Sequence, residues 1–398
     1  MRTTMATENN NKTLNVPNLR FPEFSGEWDR IKVSDLLELY PTNSLSWEQL
    51  DYSGEGIFNL HYGLIHKGLP TQVDVSENNL PTIKDEYIPK KMSLCQNGDV
   101  AFADASEDTN DVAKCIEFAN CEDRKIVCGL HTIHGRDSIN KTIVGFKGYA
   151  FAAPAFRQQI RRLAQGTKIY SVSSNNFAEC YIGIPSKAEQ TKIAELLYKL
   201  DQRIATQIKI IEDLKKLKSA ISKILFEHCE RAFNIRLLGD ICKITTGKLD
   251  ANAMTDDGEY PFFTCAREDY RTDTYAFEGD SLLISGNGEI GIVKRYNGKF
   301  NAYQRTYVLQ NFSENIEYLM YYIEYHLPKR VLKEKNVGAM PYIVLSTLSE
   351  MPIKIPDIKE QCAVCRILTC LSELIELNSK LKASYTSQKS YLLAQMFI

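Results

Sequence analysis

The chain has 398 residues, 44% of them apolar and 25% charged, with a formal net charge of −2; this is the make-up of a globular protein long enough for two or three compact domains. No apolar run approaches the ~18 residues of a membrane span, the polar start lacks the apolar stretch of a signal peptide, and eleven cysteines fall in no framework, so the expected setting is a reducing cytoplasm with no membrane. The small net charge does not announce a nucleic-acid binder, which leaves the distribution of charge to carry the information.

Residues 1–14 are polar and Asn/Thr-rich and read as a flexible tail. From 15 to 184 short alternating or apolar runs, such as Arg30–Leu36 and Val100–Phe102, are bounded by Gly, Asn and Asp, the pattern of strands and turns in a mixed α/β domain. Acidic residues prevail from Asp74 to Asp123, whereas Arg124 to Lys168 holds nine Lys/Arg against one acid, Asp137. Residues 185–230 follow as a long helical stretch that Pro185 opens and no Gly or Pro interrupts; proline suits a helix start, where its missing N–H costs nothing. A second mixed domain spans 231–355, acidic from Asp240 to Glu289 and basic by about two to one from Lys294 to Lys335. Residues 356–398 form the second long helix, opened by Pro356. The repeated charge order suggests one basic face per domain, as phosphate neutralisation requires; two solvated charged faces are the alternative.

The chain is an internal repeat. Ile184-Pro185 with Glu189-Gln190 matches Ile355-Pro356 with Glu360-Gln361. At one constant offset Ile193, Leu197, Leu200, Ile204, Leu214, Ile221 and Leu225 fall on Val364, Leu368, Leu371, Ile375, Tyr385, Leu392 and Met396. Their 4,3 alternation is a heptad seam, and helices of about 40 residues, roughly 60 Å long, are too long for a small domain's core and should pair with each other. Two seam positions are polar in both copies, Gln207 with Asn378 and Lys218 with Lys389; they either fix the register of the pair or lie at its wet edge. More weakly, Trp28–Leu36 matches Phe233–Ile241, and Gly98–Phe102 matches Gly279–Leu283. The fold expected is α+β: two globular domains separated by two long antiparallel coiled-coil helices, with internal pseudo-two-fold symmetry.

Motifs for chemistry are missing. There is no GxxxxGK[ST] phosphate loop, no GxGxxG and no Asp/Asn-Pro-Pro-aromatic element. Gly286-Asn287-Gly288 lies between apolar runs and reads as a turn, and His131 with His134 lacks a third ligand nearby. The CxxC of Cys362 and Cys365, with Cys370, sits inside a helical pattern; its counterparts in the other half are Thr191, Ala194 and Lys199. No metal site and no catalytic residue are assigned.

Long helices that begin with Ile-Pro and Glu-Gln, each after a globular domain, resemble those of type I restriction–modification specificity subunits. So do Gly129–Ile133, Ile284–Gly288 with Ile290-Gly291, Gln304–Tyr307, and the opening Leu19–Phe24 with Trp28. The resemblance implies a non-catalytic subunit binding double-stranded DNA through two target-recognition domains, one for each half of a split site. It implies docking of two methyltransferase subunits and of restriction subunits, which would hold the S-adenosylmethionine, ATP and Mg; this chain would hold no cofactor. Half-sites about one DNA turn apart, roughly 34–36 Å, would then be set by the paired helices. A coiled-coil scaffold with two protein- or ligand-binding domains is the alternative, which salt-sensitive DNA binding would discriminate.

Within that reading, loop or strand-end residues with forked, amide or cationic groups are the base-reading candidates: His131, Arg136 and Lys141 in the first domain, and Lys248, Arg267, Asn287, Gln304 and Arg305 in the second. Arg157, Arg161, Arg162 and Lys168, with Lys329, Arg330, Lys333 and Lys335, sit on helix-like patterns and are phosphate candidates, a solvated helix face being the alternative.

Overall fold

The computed structural model describes residues 2–3, 15–76, 79–229, 234–266, 270–287, 292–334 and 342–398. The chain forms two compact units, Met1–Ile208 with Lys380–Ile398, and Lys209–Ser379. Each long helix is therefore shared: one stretch of it belongs to each unit. Of the expected tail, Arg2–Thr3 is paired with Leu19–Arg20 as a two-stranded ribbon, and residues 4–14 lie outside the described ones.

In the first unit the strand Asp29–Lys32 pairs antiparallel with Tyr181–Ile184, which leads into the first long helix. A five-stranded mixed sheet follows the order Glu38–Tyr40, Thr132–Arg136, Val100–Ala103, Cys115–Ala119, Gln72–Asp74. Every residue of its central strand Val100–Ala103 is buried, as expected of a strand covered on both faces. A second sheet orders Lys125–Cys128, Ile57–Leu60, Thr82–Ile83 and Leu50–Asp51. The core holds Phe102, Phe151, Phe156 and Phe177 in edge-to-face contacts with centroids 4.6–6.0 Å apart. Ile193, Leu197 and Leu200 from the first long helix, with Leu392 from the second and Met396 and Phe397 just beyond its end, complete it.

The second unit repeats the frame. Asn234–Leu237 pairs antiparallel with Pro352–Ile355, which leads into the second long helix. The short helices Val33–Leu36 and Leu238–Ile241 follow the first strand of each pair at the same spacing, as the weak match between 28–36 and 233–241 expects. The six-stranded sheet differs from that of the first unit: Lys243–Thr246, Thr306–Gln310, Phe277–Ser285, Val293–Ala302, Tyr260–Phe263, Tyr270–Thr272. Phe226, from the first long helix, packs with Tyr318, Tyr322 and Tyr325 of the helix Ile316–Glu334, in one core with Val364, Cys365 and Leu368.

The long helices run Lys187–Cys229 and Ile358–Gln395. Their caps correct the reading of the prolines. Ser186 Oγ accepts from the Glu189 N–H at 3.4 Å, and Asp357 Oδ1 accepts from the Lys359 and Glu360 N–H groups at 2.8 and 2.9 Å. Ser and Asp are the preferred N-caps because their oxygens satisfy orphan first-turn donors, so Pro185 and Pro356 stand one residue outside. Their carbonyls explain the shared Gln: Gln190 Nε2 donates to Pro185 O at 2.9 Å and Gln361 Nε2 to Pro356 O at 3.1 Å. Glu189, beside it, is buried and takes both Nε and Nη2 of Arg20 at 2.7 Å.

All fourteen seam positions are buried or half-buried, whereas flanking residues such as Lys209 and Lys216 are exposed. In the first unit the opening of the first long helix shares a core with the end of the second; in the second unit the end of the first shares one with the opening of the second. Pairing is thus antiparallel in each. The polar seam lysines are anchored. Lys389 Nζ lies 2.5 Å from Asp201 and 5.4 Å from the Tyr149 ring centre, and the Tyr149 hydroxyl donates to Asp201 at 2.8 Å. Lys218 Nζ lies 3.4 Å from Glu324 and 5.0 Å over Tyr321, whose hydroxyl meets Thr369 at 3.0 Å. Each unit thus joins its globular part to the helices through a lysine, a tyrosine and a carboxylate. Gln207 and Asn378 are also half-buried.

Candidate nucleic-acid interface

In the first unit the base-reading candidates flank the strand Thr132–Arg136: His131 precedes it, Arg136 is its last residue, and Lys141 lies on the loop beyond its other end. His131 occupies the turn between Lys125–Cys128 and Thr132–Arg136 with φ of 55°, half-exposed. Its Nδ1 is 3.1 Å from Asp104 Oδ1 and its ring lies edge-on to Tyr62. Lys141 is exposed on the following loop, 3.7 Å from Asp29. That loop is clamped to the first long helix: Gln190 accepts from Ile143 N–H at 2.9 Å and donates to the Lys141 carbonyl at 3.1 Å. The helix start thus sets the position of a candidate reader.

Arg136 is committed to the fold. Its Nε and Nη2 donate to Asp99 at 2.8 and 2.7 Å, Nη2 also meets Leu94 O, and the guanidinium lies 4.5 Å over Tyr40. Burial works to raise the Asp99 pKa, but hydrogen bonds from Arg136 and His134 outweigh it and hold the carboxyl below its usual range. This buried bidentate pair explains Arg136 better than base reading does.

The phosphate candidates of this unit also divide. Arg157, on the helix Pro154–Leu163, turns inward: Nη2 donates to the Asn110 carbonyl, Nη1 is buried without a partner, and burial pulls its pKa down. Arg161 reaches the Asn110 side chain at 3.1 Å, and it remains exposed, as do Arg162 and Lys168.

In the second unit hydrogen bonds gather four candidates at one place. The Gln304 N–H donates to Leu249 O at 2.9 Å, Gly247 N–H to Thr306 O at 3.1 Å, and Gly286 N–H to Arg305 O at 3.0 Å. Lys248, Gln304 and Arg305 are therefore exposed side by side, with Asn287 half-buried next to them. Gly247 permits this approach, since a Cβ there would stand 1.9 Å from Ala302 O. Arg267 and Lys335 lie outside the described residues. Lys329, Arg330 and Lys333 line a cleft of about 530 Å³ with Tyr322, Tyr325, His326 and Lys354. Lys329 Nζ lies 4.0 Å over the Tyr325 ring and 2.9 Å from its hydroxyl, Arg330 Nη1 donates to Glu350 O at 3.4 Å, and Lys333 is exposed. Lys354 joins this basic group from the strand Pro352–Ile355, and sequence reasoning missed it because it lies far along the chain from the helix.

The surfaces described present cations, amides and imidazole, donors that bind phosphates and base edges. The family model of the type I restriction modification DNA specificity domain matches residues 27–216 and again 230–385, once for each half of the repeat. The chain belongs to that family. It is 37% identical over 139 residues to the type I restriction enzyme EcoDI specificity subunit of Escherichia coli, a match covering 35% of this chain and 31% of that one. It is 25% identical over 278 residues to the MjaVIII specificity subunit of Methanocaldococcus jannaschii, covering 59% of this chain and 65% of that one. The chain thus spans less than two thirds of either relative. A crystal structure of the type I system S subunit from M. genitalium matches with a TM-score of 0.61 at 17% identity, covering 96% of this chain and 99% of that one, which shows the shared fold. No helix among the described residues is long and apolar enough to cross a membrane.

Proposed function

We propose that this chain is the DNA-reading, non-catalytic subunit of a type I restriction–modification complex, in which each domain binds one half of a bipartite double-stranded target. The observation that carries the reading is the doubled family match on two domains of one frame but different sheets. One frame gives two comparable readers; different sheets and loops give two different half-sites. Lys248, Asn287, Gln304 and Arg305 are the readers in the second domain, with His131 and Lys141 in the first. Arg161, Arg162, Lys168, Lys329 and Lys333 neutralise phosphates. The exposed faces of the paired long helices are the dock for two methyltransferase subunits and, through them, restriction subunits; those partners bring S-adenosylmethionine, ATP and Mg, and the complex works in the cytoplasm.

Methylome sequencing of cells expressing the chain with and without its cognate methyltransferase tests this. The expected result is a split N6-methyladenine motif that appears only with both proteins. A complex that forms with an active methyltransferase yet leaves no motif would overturn the reading.

A further inference from the structure

Beneath the turn that carries His131, the first unit encloses donors that DNA reading does not use. Cys95 precedes the strand Val100–Ala103, Cys128 closes the strand Lys125–Cys128, and His134 lies in Thr132–Arg136. Backbone pairing assembles them: the Cys95 N–H donates to Ile126 O at 2.8 Å, and Leu94 bridges Val127. All three side chains are buried, and one ligand atom of each lies within 4.8 Å of the others.

Two separate features favour a cation. The Cys95 and Cys128 sulfurs are 3.7 Å apart, far beyond a disulfide bond of ~2.05 Å and close to the ~3.75 Å edge of a tetrahedron with sulfurs ~2.3 Å from zinc. His134 is 0% exposed, its Nε2 sits 2.8 Å from Asp99 Oδ2, and its Nδ1 has no hydrogen-bond partner. A buried nitrogen left unsatisfied costs ~1–3 kcal/mol. A carboxylate holding the other ring nitrogen is the arrangement that fixes the tautomer of a metal-ligating histidine.

We propose that Cys95, Cys128 and His134 bind a zinc ion through two thiolates and the His134 Nδ1. Binding releases two thiol protons to solvent and changes no oxidation state. The two thiolates cancel the dication, and Arg136 balances Asp99, so the buried assembly is neutral, the condition for charges in a core. Burial, with the neighbouring Cys128 thiol, pushes the Cys95 thiol up; a bound dication reverses that preference. The ion would tie the segment before Val100 to the strands on either side of the His131 turn, stiffening a loop on the reading surface.

The test uses the full chain, reduced, stripped with a chelator and titrated with Co²⁺. The expected result is a thiolate-to-cobalt charge-transfer band that saturates at one equivalent and is displaced by Zn²⁺. Cys95→Ser and Cys128→Ser lose the band, and a Cys362→Ser/Cys370→Ser double variant, which removes two exposed thiols of the second long helix, keeps it. Absence of the band in the unmutated chain overturns the proposal, as does its survival in Cys128→Ser or its loss in the double variant. The titration of the unmutated chain decides by itself, so a serine variant that misfolds does not remove the test.

Discussion

The two units contain the same local device at different depths. Gly98 and Gly279 both adopt positive φ, 80° and 101°, and each is followed by an aspartate that takes two bonds from an arginine on the next strand. In the first unit Asp99 is 1% exposed and also engages His134 and the Gln96 N–H. In the second, Asp280 is 34% exposed and has Arg295 as its side-chain partner in the ion pair, on the hairpin Phe277–Ser285/Val293–Ala302. The Gly-Asp turn is repeated while its arginine comes from a different place in each unit, 37 residues on in the first and 15 in the second; the packing around the pair sets its worth. A pair whose carboxylate is sealed from water is costlier to break than one with both partners exposed, because the buried oxygens depend on their donors, even though Arg136 itself keeps an exposed edge.

The largest effect follows from the sealed pair. Asp99→Asn, which takes the charge from the carboxyl that holds Arg136 and His134, should destabilise the chain by ~3 kcal/mol, read as a fall in the denaturation midpoint; a loss no greater than that of Asp280→Asn would break the comparison. Next in size come the seam lysines. Lys389→Ala removes a short charged bond to Asp201 and should cost ~2 kcal/mol. Lys218→Ala should cost less in the same unfolding experiment, since burial already holds the Glu324 carboxyl above its usual range and favours its neutral form. Smallest is Asp280→Asn, at ~0.5 kcal/mol for so open a pair. Arg295 holds the Asp280 carboxyl below its usual value, so its contribution is present above an unfolded pKa of ~3.9 and disappears as pH falls through the lower folded value. Midpoints of the two chains measured from neutral pH down to that window should converge, and a gap that widens toward acid would refute the sign.

Much of the frame was legible because helix pairing leaves a period in the sequence. Leu197, Leu200, Leu368 and Leu371 repeat at heptad spacing whatever domain they serve, and the strands beginning at Asp29 and Asn234 are followed by matching residues, Val33, Asp35 and Leu36 against Leu238, Asp240 and Ile241. The helix starts were placed two residues early, at Pro185 and Pro356 rather than at Lys187 and Ile358, because the prolines drew attention from the capping Ser186 and Asp357 beside them. Side-chain commitments were less legible. Arg136 looks like a reader by its strand-end position, yet its partner Asp99 is 37 residues away, a pairing no local pattern records. Arg157 shares the helix spacing of Arg161 and Arg162, and both Arg157 and Arg161 meet Asn110, but Arg157 alone turns its guanidinium into the protein. His131 and His134 invited reading as a pair, but one lies on a turn beside Asp104 and the other in the core beside Asp99. The ligands that do converge with His134 come from two other segments, with no motif spacing between them.

The first unit is not continuous along the chain: Leu392, Met396 and Phe397 fill its core beside Trp28 and Phe146. A ribosome that has delivered residue 208 must add residues 209–379 before 380–398, the remaining portion of that unit, can be made. At ~5–20 residues per second this delay is roughly ten to forty seconds, during which the apolar seat of Phe397 stands open on the nascent protein. The second unit, a single continuous stretch, is complete first, so the usual order of N-terminal domain before C-terminal domain is inverted and the earlier-made half is the one that waits for a chaperone or for its own far end.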